Sequence, residues 1–175
     1  TPTPTPTTGP TIAPTPTPTA GPTGTPTPTP GPTPTPAPAP LDKAEQKCVN
    51  ALSKDGQKVS NKQYKENDKC LKDYQKAKLL GDVEDCLTSD PKGKVDTAKD
   101  KTAADDAKLC DPEPPFAYAG STAVNNAAQD GAIDLAHEIF GNPIDNADLI
   151  TNNANKDTAK CQAAMLKEGN KLGDT

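Results

Sequence analysis

The chain has 175 residues, with 19 Lys and Arg against 24 Asp and Glu, a formal net charge of −5, five cysteines, one Met and no Trp. Lysines interspersed with acids on an acidic chain argue against nucleic-acid binding, and the lack of a long apolar run argues against a membrane span. With no starting Met and no signal peptide, the sequence reads as a processed product or a fragment.

Residues 1–40 hold 16 Pro and 15 Thr, with Gly, Ala and Ile12 making up the rest and no charge at all. Proline fixes φ and removes a backbone donor, so neither helix nor central strand is open to this tract. It is expected to be an extended, polyproline-II-like arm reaching roughly 120 Å if straight, with bends at Gly9, Gly21 and Gly31. Thr alternating with Pro is the composition of O-glycosylated stalks. The expected sugar-bearing residues are Thr1, Thr3, Thr5, Thr7, Thr8, Thr11, Thr15, Thr17, Thr19, Thr23, Thr25, Thr27, Thr29, Thr33 and Thr35. Asn-x-Ser/Thr does not occur, so covalent glycans are expected as O-glycans.

All the charge lies in residues 41–175, a body with little core material: five aromatics and much Ala. Residues 41–80, rich in Lys, Gln, Ala, Leu and Glu, predict a helix, with Gly56 marking a kink or break. LLGDVEDCLTSDPKGK at 79–94 predicts a turn region, through Gly81, Asp90, Pro91 and Gly93. A second helix is expected over 92–110. DPEPPFAYAGST at 111–122, with Phe116 and Tyr118, predicts a Pro-rich turn. Residues 122–140 predict a helix with Val124, Ala128, Ile133, Ala136 and Phe140 on one face, ended by Gly141 and Pro143. Asp145 is expected to cap a last helix through 146–167, with Ala147, Ile150, Ala154, Cys161, Ala164 and Met165 as its apolar positions.

The cysteines are Cys48, Cys70, Cys86, Cys110 and Cys161. No close C-x-x-C pair suggests zinc or haem, and beside a Thr-Pro stalk disulfides are the better expectation. Cys48 to Cys70 and Cys86 to Cys110 span 22 and 24 residues, about 33 and 36 Å of helix. Four cysteines allow three pairings. Antiparallel folding of the two helices favours Cys48–Cys110 at the open end and Cys70–Cys86 at the turn. Cys161 is left unpaired or intermolecular.

KCVNALSKDGQK at 47–58 and KCQAAMLKEGNK at 160–171 match in Lys, Cys, Ala, Lys, Gly and Lys at a constant offset of 113. That is an internal repeat whose second copy stops early. The pattern K-C-x-x-A-[LM]-x-K-x-G-x-K, a Lys-rich helix with K-C, and C-L-T-x-D-P-K-G-K resemble the Cys- and Lys-rich helical tandem repeats of uncharacterised proteins secreted by environmental bacteria. FGNPIDNADLITNNANKDTAKCQAA at 140–164 is similar to the junction between such repeats. The resemblance spans roughly 41–172. It implies secretion and helical tandem repeats, and no catalytic residue.

No motif for nucleophilic, metal or phosphate chemistry is present. His137, beside Glu138, is expected as filler rather than as a base. Asp105–Asp106 and Glu84–Asp85 are adjacent, so on a helix they diverge and are expected as solvated charges. The Asn/Asp-rich run at 142–157 lacks the order of a calcium loop. No catalytic or metal site and no cofactor are expected.

The expected fold is all-α. A Thr/Pro arm fills 1–40, a disulfide-stapled antiparallel hairpin 41–111, and a second helical unit 112–175, ending in the start of an incomplete repeat. The expected function is that of an extracellular or cell-surface structural protein, not an enzyme. It would be a subunit of a glycosylated filament or sheath whose partners are copies of itself. The alternative is a stalked module binding polysaccharide or protein, with Tyr64, Tyr74, Phe116 and Tyr118 as stacking candidates.

Overall fold

A computed structural model of the protein describes residues 40–115 and 118–172. The Thr residues expected to carry sugar, the arm they belong to, and Phe116 lie outside the described residues. The described body is helical and contains no strand: α1 Lys43–Gln75, α2 Val83–Thr88, α3 Lys94–Leu109, α4 Gly120–Phe140, a 3-10 turn Asn146–Asp148, and α5 Lys156–Leu172.

Helix α1, 33 residues and about 50 Å long, is the axle against which the others pack. A capping box starts it. Asp42 Oδ1 accepts the Ala44 and Glu45 amides at 2.7 and 2.8 Å, and Glu45 Oε2 accepts the Asp42 amide at 2.7 Å. It stops at Gln75, five residues before the expected end. Ala77 takes a left-handed φ of 53°, and the amides of Ala77 and Lys78 return to the Tyr74 and Asp73 carbonyls. This Schellman geometry closes the helix without the usual glycine.

Gly56 neither kinks nor breaks α1, which runs through it unbroken. Its role is close approach: a Cβ there would meet Val124 Cγ1 of α4 at 2.8 Å. The turn region contains α2, a single short helix that periodicity could not signal. Asp90 then launches α3 by accepting the Lys94, Val95 and Asp96 amides at 3.0, 2.7 and 3.0 Å. Helix α3 runs antiparallel to α1, since Lys94 lies by Glu66 and Cys110 lies by Cys48.

The expected helix over 146–167 is two elements. Asp145 does accept the Ala147 amide, but what it caps is a 3-10 turn. The chain then breaks: the Asn152 amide donates to the Gln75 carbonyl, and the Ile150 amide to Gln162 Oε1. These tertiary bonds take amides that a continuous helix would use. Asn155 restarts the helix as α5, accepting the Asp157 and Thr158 amides at 3.1 Å each.

Elements from both halves of the body share one core: Cys70, Leu71, Val83, Leu87, Ala136, Ile144, Leu149 and Leu166. A smaller cluster at the other end joins Cys48, Leu52 and Cys110 with Tyr118 and Val124. Along its length α1 also buries amides. Gln63 Nε2 donates to the Leu87 carbonyl at 2.7 Å, Asn67 Nδ2 to Ala132 at 2.9 Å, and Gln75 Nε2 to Ala159 at 2.7 Å. Each of these three amides therefore ties α1 to a different helix, and a helix carbonyl has a spare lone pair to accept it.

Candidate functional site

The Sγ atoms of Cys48 and Cys110 lie 2.08 Å apart and those of Cys70 and Cys86 2.00 Å apart, so both pairs are at bonding distance. Cys161 is free and exposed on α5.

That thiol belongs to a helix whose start aligns with that of α1 at a constant offset. Helix α1 begins at Lys43 and α5 at Lys156, an offset of 113. The capping residues Asp42 and Asn155 accept amides at equivalent positions, 44 and 45 in one case, 157 and 158 in the other. Asp55–Lys58 and Glu168–Lys171 form the same i, i+3 ion pair, at 2.6 and 2.7 Å. Gly56 and Gly169 are both points where α4 comes close, through Val124 and Ile139. The likeness read over twelve residues thus extends back to the cap.

The two copies bury opposite faces. In α1, Cys48, Leu52 and Val59 are 1, 6 and 0% exposed. Their equivalents Cys161, Met165 and Leu172 face outward, Met165 at 52%. Conversely α5 buries Ala159 and Leu166, whose equivalents Gln46 and Ser53 are exposed. The expected inward seam at Cys161, Ala164 and Met165 is therefore the outward one. Both stripes are apolar, and Leu166 and Ala163 are the ones that meet the core. The result is an outward apolar stripe on α5, with Cys161 and Met165 one turn apart.

A few titratable groups link one element to another. His137 does not pair with its neighbour Glu138. Its Nε2 lies 3.0 Å from both carboxylate oxygens of Glu84, and Glu84 Oε2 also accepts the Ile144 amide at 3.0 Å. Glu84 is thus not a solvated charge but the clamp between α2 and the end of α4. Asp105 and Asp106 do diverge. Asp106 Oδ2 accepts the Ser121 amide at 2.8 Å, so it too is engaged. Asp105 meets Lys101 at 2.7 Å, and that ammonium holds the Asp105 carboxyl below the usual range. The Asn/Asp-rich run supplies hydrogen bonds: Asn146 Oδ1 accepts the Val83 amide and Asn155 caps α5. Among the described residues no group of three His, Cys, Asp or Glu is placed to hold a metal ion, and no helix is long and apolar enough to cross a membrane.

One concave surface bears on ligand binding. Lys58, Lys62, Lys94 and Lys101, with Thr97 and Ala98, line a groove of about 370 Å³ between α1 and α3. Three of these lysines have acids against them: Asp55, Glu66 and Asp105. Among the described residues, the candidate tyrosines are otherwise engaged. Tyr64 is buried, Tyr74 Oη donates to the Asn146 carbonyl, and Tyr118 packs on the Cys48 cluster.

The chain matches no family model, no curated protein and no solved structure.

Proposed function

We propose that this chain is an extracellular structural protein, a subunit of a glycosylated cell-surface filament or sheath assembled from copies of itself. The observation that carries the reading is the outward stripe of α5. It has the residue types that α1 buries, in the same register, and leaves them in solvent. A helix with two apolar faces and one covered is a joint awaiting its other half. Two disulfides in a small, aromatic-poor body suit an oxidising compartment. The resemblance to secreted helical repeats points the same way, and the Thr/Pro arm would supply reach and an O-glycan surface. The reading gives no residue a catalytic role and needs no cofactor.

Negative-stain electron microscopy of native, non-reduced protein tests it. Regular filaments or sheets are the expected result, and separate small particles at all concentrations would overturn it. A second reading, a stalked module binding an acidic polysaccharide, rests on the lysine groove. It carries less far because the paired acids leave that groove little net charge.

A further inference from the structure

We propose that Leu80 is a docking knob that seats in the apolar hollow at the Cys48–Cys110 end of a second copy of this chain. Leu80 is fully exposed, more so than any other large apolar side chain among the described residues. It is also held in place. Leu79 packs on the main core, and the Lys78 and Leu79 amides both donate to the Asp73 carbonyl, at 2.8 and 3.2 Å. The turn therefore presents Leu80 instead of letting it fold back. The receiving hollow measures about 180 Å³ and is walled by Cys48, Val49, Leu52, Tyr118 and Val124. An apolar cavity of about 150 Å³ holds a benzene-sized group, so the isobutyl side chain of leucine fits.

Knob and hollow lie at opposite ends of α1. The helix from Cys48 to its end at Gln75 is about 40 Å long. The few residues from Gln75 to Leu80 reach back less than about 20 Å, so no chain seats its own Leu80. A knob and a hole at different places on one molecule make a heterologous contact, which propagates into open filaments when its rotation does not close a ring. Charge runs the same way. The exposed Lys76 and Lys78 precede the knob, and the exposed Asp111 and Glu113 line the surface on the other side of Cys48. Asp82 and Asp85 line a separate hollow beside Leu80, where Asp82 is engaged in capping α2. The contact is distinct from the α5 stripe; it deepens the assembly reading and rests on it.

The test uses the full chain carrying Cys161→Ser and Met165→Asp, so that the α5 stripe takes no part. Leu80→Asp and Val49→Asp are then added singly. Both side chains are exposed, and circular dichroism verifies each fold. Sedimentation velocity should show the parent growing beyond a dimer with concentration, and each single variant associating at least about tenfold more weakly. An equimolar mixture of the two should recover one contact and stop at a dimer, because one variant keeps the hollow and the other keeps Leu80.

A parent that stays monomeric, a variant that associates like the parent, or a mixture that remains monomeric would overturn the proposal. Filaments from the unaltered chain alongside any of these results would remove this contact and leave the assembly reading intact. A dimer-forming mixture without filaments from the unaltered chain would do the reverse.

Discussion

Gly56→Ala should destabilise the protein, although alanine is the better helix former. The gain in helix propensity is about 1 kcal/mol. Against it stands the new Cβ, 2.8 Å from Val124 Cγ1 and 4.0 Å from Ala128 Cβ. Carbon atoms rest at about 3.5–4.0 Å, so roughly 1 Å must be found on the Val124 side alone. Val124 cannot yield it by rotation, because a β-branched side chain in a helix has one strongly preferred χ1. The helices must part, and overpacking of this kind costs about 1–3 kcal/mol. The net effect is a loss of about 0–2 kcal/mol.

A double-mutant cycle with Val124→Ala isolates the reason. In that background the obstructing Cγ1 is gone, and Gly56→Ala should stabilise by about 1 kcal/mol. The coupling between the two sites should therefore be about 1–3 kcal/mol. Urea unfolding of the non-reduced protein, followed by circular dichroism with the m-value checked for constancy, measures each corner. The same stabilisation from Gly56→Ala in both backgrounds would refute the close α1–α4 approach. Gly169→Ala provides a contrast within the molecule. Its Cβ would meet Ile139 Cδ1 at 3.1 Å, the far end of a side chain that can move, so the change should lie between neutral and about 1 kcal/mol stabilising.

Asp90→Ala should cost about 1 kcal/mol through loss of the α3 cap, read as a shift in urea midpoint. Burial pushes the Asp90 carboxyl up, but the Asp96, Lys94 and Val95 amides outweigh it and leave the group below its ordinary value. Its stabilisation should then be complete above the unfolded-state pKa of about 3.9 and fade as pH falls through the lower folded value. The wild-type and Asp90→Ala stability curves should therefore converge below about pH 4. Ala77→Gly should stabilise by about 0.5–1 kcal/mol by relieving the left-handed alanine, measured by the same unfolding assay. Removing Cys48 and Cys110 together should cost about 4 kcal/mol, and removing Cys70 and Cys86 about 3 kcal/mol. The first pair closes a loop with separation 62 and the second one with separation 16. Thermal unfolding of the two double-alanine variants ranks them.

The helical hairpin was legible because its signals are one-dimensional. Lys- and Ala-rich stretches lie either side of Gly81, Pro91 and Gly93, and two cysteine spacings nearly match. Helix α2 was not legible: six residues carry fewer than two turns of pattern. The break between the 3-10 turn and α5 depends on Asn152 finding the Gln75 carbonyl, a contact between residues far apart in sequence. Gln63, Asn67 and Gln75 were equally hidden. In a helix-forming, Lys-rich stretch an amide reads as surface, and only three neighbouring helices with free carbonyl lone pairs make it core. The pairing of His137 with Glu84 across 53 positions had no local signal, whereas Glu138 beside it was a local distraction.

The differences between the two copies explain the site better than their likeness does. Where α5 has Ala159, Ala163 and Leu166, α1 has Gln46, Asn50 and Ser53, all exposed. The second copy needs apolar residues there because it packs on the core of the first; among the described residues α1 leaves that face exposed. In stacked repeats a terminal unit carries a polar outer face, since no neighbour buries it. By that logic α1 is a closed end. The opposite face of α5 was not made polar in the same way: Cys161 and Met165 retain the character of Cys48 and Leu52. A surface under no demand to be covered would tend toward charge at these positions, as it has at Lys160, Lys167 and Glu168 around them. The body therefore turns polar residues outward on α1 and apolar ones outward on α5. In the assembly proposed above, units join at the open α5 face.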